Sequence, residues 1–277
     1  MARMHLRIAA ALAMSACLHA RAETVELRYG EDEGQTLAVH AADARGARPV
    51  VVHFGPADAA LAALLAQRGY VLVDVALPAE GEAHVHAAEA LAHAAATVAR
   101  YGGDPARLHL VGDGAQAAAT ARLGADLETL TQRRVPREAI RGMVLRGGRR
   151  YPLAVGYLAP PTLLLHGRDD GEARRDAERY AARLREGGAS AETMVLPDAA
   201  QRGAVQAVAW LDTAAVARVA RFEQLAFEHE TGLPPALASL AAWSGALHGG
   251  AGDAPRLLRK AARGASWALE HDFGARY

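Results

Sequence analysis

Residues 101–116 read Tyr101-Gly102-Gly103-Asp104-Pro105-Ala106-Arg107-Leu108-His109-Leu110-Val111-Gly112-Asp113-Gly114-Ala115-Gln116, and the order of these residues places the rest of the chain. Gly102-Gly103-Asp104-Pro105 stops a helical pattern that begins near Ala83. Arg107 to Val111 is a run of β-formers entering a turn at Gly112, and an alanine-rich helix follows to about Leu123. A strand, a sharp glycine turn and a helix in immediate succession form the central unit.

Working outward, short apolar runs alternate with longer stretches of helical period, as in a largely parallel sheet covered by helices. Strands are expected at Pro49 to Phe54, Tyr70 to Val75, Arg141 to Leu145, Pro161 to His166 and Glu192 to Leu196, with helices at Ala59 to Arg68, Ala83 to Tyr101 and Glu172 to Glu186. Consecutive parallel strands of this kind imply a doubly wound α/β sheet. Sites in such sheets form outside the carboxyl ends of the strands, so the loops after Val75, Val111, His166 and Leu196 should cluster. Helices are also expected at Pro235 to Leu247 and Pro255 to Glu270, joined by the linker-like Gly249 to Pro255.

The chain has 277 residues, 51% hydrophobic and 22% charged, which is the composition of a globular protein with a full core. Residues 1–22 read as an export signal: Arg3 and Arg7 precede an apolar run from Ile8 to Leu18, and Ala20-Arg21-Ala22 forms a cleavage site before Glu23. The expected organisation is therefore a signal over 1–22, one α/β domain over 23–230 and a helical extension over 231–277. Met14-Ser15-Ala16-Cys17 resembles a lipoprotein box, so a lipid anchor at Cys17 is the alternative to periplasmic or secreted protein. Cys17 is the single cysteine, which excludes a disulfide within the chain. Basic and acidic residues balance at 31 each, and loss of 1–22 would leave 28 against 31. No basic patch points to nucleic acid, and no apolar run is long enough for a membrane span.

From about Glu26 to Phe222 the chain resembles the α/β-hydrolase superfamily, closest to secreted carboxylesterases of the hormone-sensitive-lipase and feruloyl-esterase-like type. Tyr101 to Leu108 is similar to the Y-G-G-D-P-x-R-I approach to the nucleophile strand. Pro161-Thr162-Leu163-Leu164-Leu165-His166-Gly167-Arg168-Asp169-Asp170 resembles the strand whose H-G-x-x-D ending carries the triad acid, which puts Asp170 at the acid position. Glu192 to Pro197 resembles the strand before the catalytic histidine. The resemblance implies ester hydrolysis without a cofactor, by a serine on a strand-to-helix turn, a histidine base and an orienting acid.

Measured against that pattern, the chemistry is missing. The G-x-S-x-G turn aligns with Gly112-Asp113-Gly114-Ala115-Gln116, so Gly114 stands at the nucleophile position. Gln201 stands at the histidine position, and glutamine is no general base near neutral pH. The oxyanion turn reads His53-Phe54-Gly55-Pro56-Ala57-Asp58; Pro56 has no N–H to donate, leaving Gly55 and Ala115 as remnants of that region. The segment that usually walls the pocket is nearly absent between Leu153 and Pro161. Ser190, Ser239, Ser244 and Ser266 do not follow strand-like runs, and His166 and His229 lie outside the expected histidine loop.

Three readings remain open. The first is a non-catalytic binding or scaffolding protein that keeps the fold, with a small molecule or a protein as partner. The second is a carboxylic-ester hydrolase with a non-standard site, to which Asp113, Asp169 and Asp170 could contribute if they converge. The third is a metal-binding protein built on His84, His86 and His93 with Glu82 and Glu89, since His86, Glu89 and His93 share one helix face; the usual zinc pair has i, i+4 spacing, and a solvated polar face explains the same residues. Trp243 and Trp267 mark the extension as a partner surface or as packing against the core.

Overall fold

The computed structural model describes residues 23–41, 46–77, 82–155, 159–196 and 203–211. The expectations for 1–22, Gln201, His229, the serines past Ser190, the tryptophans Trp243 and Trp267 and the helices beyond 231 lie outside those residues.

Eight strands form one sheet: β1 (Glu23–Arg28), β2 (Thr36–Ala41), β3 (Arg48–Phe54), β4 (Val71–Val75), β5 (Gly103–Asp113), β6 (Ile140–Arg146), β7 (Thr162–Gly167) and β8 (Ala191–Leu196). Their order is β1-β2-β4-β3-β5-β6-β7-β8, antiparallel at β1/β2 and β2/β4 and parallel everywhere else. The parallel run is thus six strands long, at the six positions where strands were expected, and a hairpin is added at one edge. Its strands escape the sequence reading because Thr24, Glu26 and Arg28 of β1 are exposed and β2 buries only Leu37 and Val39. A strand with one wet face gives a weaker apolar run than the strands of a covered sheet.

The helices are α1 (Ala59–Gln67), α2 (Ala83–Thr97), α3 (Gln116–Ala125), α4 (Leu127–Gln132), α5 (Gly171–Glu186) and α6, at 203–211. The helix expected up to Tyr101 ends its regular part at Thr97 and tightens into a 3₁₀ turn over Val98–Tyr101, closed by Gly102 at φ +80°. The short α4 is also an addition to the expected elements.

Alternation along the strands divides the core in two. Val50, Val52, Phe54, Leu108, Leu110 and Leu145 face one side, where α2, α3 and α5 pack; Val51, Leu72, Val111, Val144, Leu163 and Leu165 face the other, where α1 and α6 pack. Burial of each such side chain stabilises the fold by about 1.5–3 kcal/mol before entropy is counted. Between β5 and α3 the approach is closest: a Cβ on Gly112 would lie 2.3 Å from Thr120 Oγ1 and 2.9 Å from Ala117 Cα. Only glycine fits there, which is how the turn after Gly112 comes to be so sharp. Among the described residues no helix is long and apolar enough to cross a membrane.

Candidate active site at the strand ends

Strand register sets the site. On β3, β4, β5 and β6 the sheet face that carries Val51, Leu72, Val111 and Val144 continues two residues further to His53, Asp74, Asp113 and Arg146. His53 lies opposite Asp74 and Asp113 opposite Arg146. The last side chains on this face of four adjacent strands are therefore polar, His53 and Asp74 on one pair of strands and Asp113 and Arg146 on the next.

These four groups form a continuous chain of charge. His53 Nδ1 lies 2.7 Å from Asp74 Oδ1, and His53 Nε2 lies 3.0 Å from Asp113 Oδ2. Arg146 donates from Nε to Asp113 Oδ1 at 2.5 Å and from Nη2 to Asp113 Oδ2, a two-pronged contact. The Nη1 group of Arg146 donates to Asp58 Oδ2 at 2.8 Å, while Asp58 Oδ1 accepts the Leu61 amide and so caps α1. At the other end His40 Nε2 meets Asp74 Oδ2 at 3.0 Å, and Thr24 Oγ1 meets His40 Nδ1 at 3.1 Å.

Burial of His53 would by itself lower its pKa, but its hydrogen bonds to Asp113 and Asp74 and the charge of both acids outweigh that and raise it to about 9. Burial likewise opposes ionisation of Asp74, and the bonds from His40 and His53 overcome it, holding its pKa down to about 2. The same contest lowers Asp113, through His53 and Arg146, and raises Arg146. At neutral pH His53 is an imidazolium that donates from both nitrogens, so neither can accept a proton.

A cavity of about 290 Å³ opens over this row, lined by Asp58, Asp113, Gly114, Arg146, His166 and Leu196 among others. Gly114 lies in the two-residue turn between β5 and α3 at φ +53°, and a Cβ there would meet nothing within 4 Å. Its N–H is engaged by the Arg146 carbonyl at 2.8 Å. Ala115 is the N-cap residue of α3 and offers no side-chain cap. Gly55 presses against the network: a Cβ there would lie 2.7 Å from Asp113 Cβ. His166, buried at the end of β7, has Nδ1 3.3 Å from the Gly167 carbonyl and its ring against the cavity.

The three acids expected to converge divide between two places. Asp113 is bound to His53 and Arg146, whereas Asp170 caps α5 through the Ala173 amide and pairs with Arg149 at 2.9 Å. The Ala173 amide bond first, and then Arg149, lowers the Asp170 pKa. Asp169 belongs to the turn before α5 and does not line the cavity. The histidines of α2 do not gather either: His86 Nδ1 bonds to Gln35 Nε2 at 3.0 Å, His84 lies 3.5 Å from Glu82, and no group of three metal-binding side chains exists among the described residues.

His53, Asp58, Asp74 and Arg146 are site residues that the sequence reading did not assign. The signal was present in the strands, since each apolar run of the covered sheet ends in or near a polar residue on the carboxyl side, which is the side where such folds carry function. His53 was visible only as part of the degenerate oxyanion turn.

An eight-stranded sheet of this order, covered on both faces and carrying a tight strand-to-helix turn at a cavity, is the α/β-hydrolase fold. No protein-family model matches the chain, and no curated protein matches it. Solved structures do. An α/β-hydrolase enzyme from a deep-sea metagenome library of the Medee basin superposes with a TM-score of 0.60 at 13% identity, covering 70% of this chain and 98% of that one. A truncated carbohydrate esterase from gut microbiota gives 0.58 at 11% identity over 71% and 98% of the two chains, and a bacterial heroin esterase 0.53 at 17% over 74% and 90%.

Proposed function

We propose that this chain is an exported α/β-hydrolase-fold protein of esterase type that binds a small molecule or a protein without hydrolysing esters. The observation that carries the reading is Gly114. It occupies a sharp strand-to-helix turn at the cavity, at φ +53°, where the resemblance places the nucleophile, and has no side chain to attack with. Gly114, Asp170 and Gln201 are read as the former triad positions, and Gly55, Pro56 and Ala115 as the former oxyanion region.

The surroundings support it. Ser190 is the one serine among the described residues, and it precedes β8, at the end of the sheet away from the cavity. His53 is charged and held by two carboxylates, which suits a structural cation and not a general base. Asp170, the acid position, is occupied by Arg149.

One observation favours a second reading, a hydrolase with a non-standard site: His166 lines the cavity, and its Nε2 has no hydrogen bond among the described residues. Incubating the purified protein with a short-chain chromogenic ester and with a serine-reactive fluorophosphonate separates the two. Neither turnover nor labelling is expected; turnover abolished by His166→Asn would establish the second reading. Intact mass of protein from its native host tests export, with Glu23 as the expected first residue and a diacylated Cys17 as the contrary result.

A further inference from the structure

A second cavity, about 370 Å³, opens at the amino ends of β5 and β6, the opposite end of the sheet from the strand ends that carry the first. Its floor is apolar: Ala92, Ala95 and Ala96 of α2 face it together with Pro136 and Ala139. Three guanidinium groups, those of Arg133, Arg134 and Arg141, line it against a single carboxylate, Glu138, which itself lies 3.4 Å from Arg137 Nε. The wall therefore has an excess of positive charge over an apolar base.

The hydrogen-bonding capacity of the arginines is largely unspent, although Arg133 acts on the Asp126 carboxylate and Arg141 on that of Asp104 through space. Arg141 is anchored by one bond, Nε to the Ala106 carbonyl at 3.1 Å, which fixes its stem and leaves most of its fork unspent. Arg133 and Arg134 make no ion pair and no side-chain hydrogen bond with any described residue. Arg134 is placed against backbone preference. It sits at φ +61° in the turn that ends α4, with its N–H on the Thr131 carbonyl and the next N–H, of Val135, on the Leu130 carbonyl. That left-handed position ordinarily takes glycine or asparagine, because an L side chain is strained there. A cation near a helix carboxyl end is favourable in itself, but α4 has six residues and Arg133 already stands at its C-cap. Turn geometry thus gives no reason for arginine at 134, whereas the cavity does.

We infer that this cavity is a second ligand site and that its ligand is a small amphiphilic carboxylate. Its planar head meets the guanidinium forks of Arg133, Arg134 and Arg141, whose geometry matches a carboxylate two bonds at a time. Its short alkyl or aryl body lies on the alanine floor. The volume is at the low end of small-molecule pockets, about 300–1,000 Å³, which limits the body to a short one. The inference is independent of what the first cavity does.

Octanoate, 1-octanol and inorganic phosphate, titrated calorimetrically into the full chain, test the assignment. Octanoate is expected to bind saturably, and the alcohol and phosphate at least about tenfold more weakly, since each supplies only half of the recognition. Arg134→Gly is the decisive variant, because it removes the guanidinium while relieving the turn. Its thermal midpoint should equal or exceed that of the wild type, and octanoate should bind about tenfold more weakly; adding Arg133→Gln should abolish binding. Absence of saturable octanoate binding, binding unchanged in Arg134→Gly, or octanol or phosphate binding as tightly as octanoate would each overturn the proposal.

Discussion

The imidazole Nε2 of His53 and the carboxylate Oδ2 of Asp113 meet at 3.0 Å although 60 residues separate them in the chain. This bond ties the carboxyl end of β3 to that of β5, and Asp74 and Arg146 extend it across four strands. Alternating signs along Asp74, His53, Asp113, Arg146 and Asp58 leave each inner charge between two opposite ones. Buried charges are tolerated only when paired in this way.

Stability should therefore depend on pH at both ends of the network. The His53 pKa rises from 6.5 to about 9 on folding, so its contribution is complete below about 6.5 and is lost as the pH climbs through about 9. The Asp74 pKa falls from 3.8 to about 2, so its contribution is complete above about 3.8 and is lost as the pH drops through about 2. Thermal midpoints measured across pH should plateau between about 4 and 6.5, within the window these two groups define. In His53→Asn the alkaline decline should flatten; an unchanged alkaline limb in that variant would show that His53 is not the titrating group.

Arg146→Met should cost about 3–5 kcal/mol by urea denaturation, the usual penalty for leaving a buried charge without its partner. The side chain of Arg146 is 12% exposed and that of Asp113 15%, so water can replace little of what is lost. Adding Asp58→Asn and Asp113→Asn should recover part of the loss by removing the stranded carboxylates. A change below about 0.5 kcal/mol for the single variant, the range of an ordinary surface substitution, would mean that the pairing is incidental.

How much of this was legible in the sequence follows from which face each residue serves. Strands β3 and β7 are covered on both sides, so Val50 to Val52 and Leu163 to Leu165 appear as unbroken apolar runs and could be placed within one or two residues. The β1/β2 hairpin, half wet, could not. Gly114 was legible because a turn between a strand and a helix leaves a local signature. The partnership of His53 with Asp74 and of Asp113 with Arg146 was not, since it arises from register between strands that are far apart in sequence, and nothing local in His53-Phe54-Gly55 names its partners.

Two glycines at the site should respond differently to a methyl group. In Gly55→Ala the new Cβ would lie 2.7 Å from Asp113 Cβ and 3.3 Å from His53 Nε2, so Asp113 must move and its bond to His53 must lengthen. A loss of about 1–3 kcal/mol is expected, as for other overpacked sites, together with a lower pH for the alkaline decline. Gly114→Ala meets open space and carries only the backbone strain of φ +53°, about 1–2 kcal/mol, with the pH profile unmoved. Equal pH profiles for the two variants would count against the coupling of Gly55 to the His53–Asp113 bond.

The wild-type chain should show no esterase activity above background, and Gly114→Ser should not create an efficient enzyme. A serine hydroxyl without a positioned base is a weak nucleophile, and losing any one member of a triad already costs several orders of magnitude. At Gly114 the hydroxyl would project into the cavity beside Asp113 and Arg146, whose polar atoms are already paired with each other. Gln201 supplies no base. The double variant Gly114→Ser with Gln201→His should remain poor as well, because Pro56 has no N–H for the oxyanion, and one lost donor is worth about 3–4 kcal/mol. Wild type, single and double variants assayed on one short-chain ester give the answer. Robust turnover by the wild type would refute the binding-protein reading; if it survives substitution of Ser190, Ser239, Ser244 and Ser266, the mechanism must use a carboxylate or a metal, and if it vanishes with one of them, the nucleophile has moved.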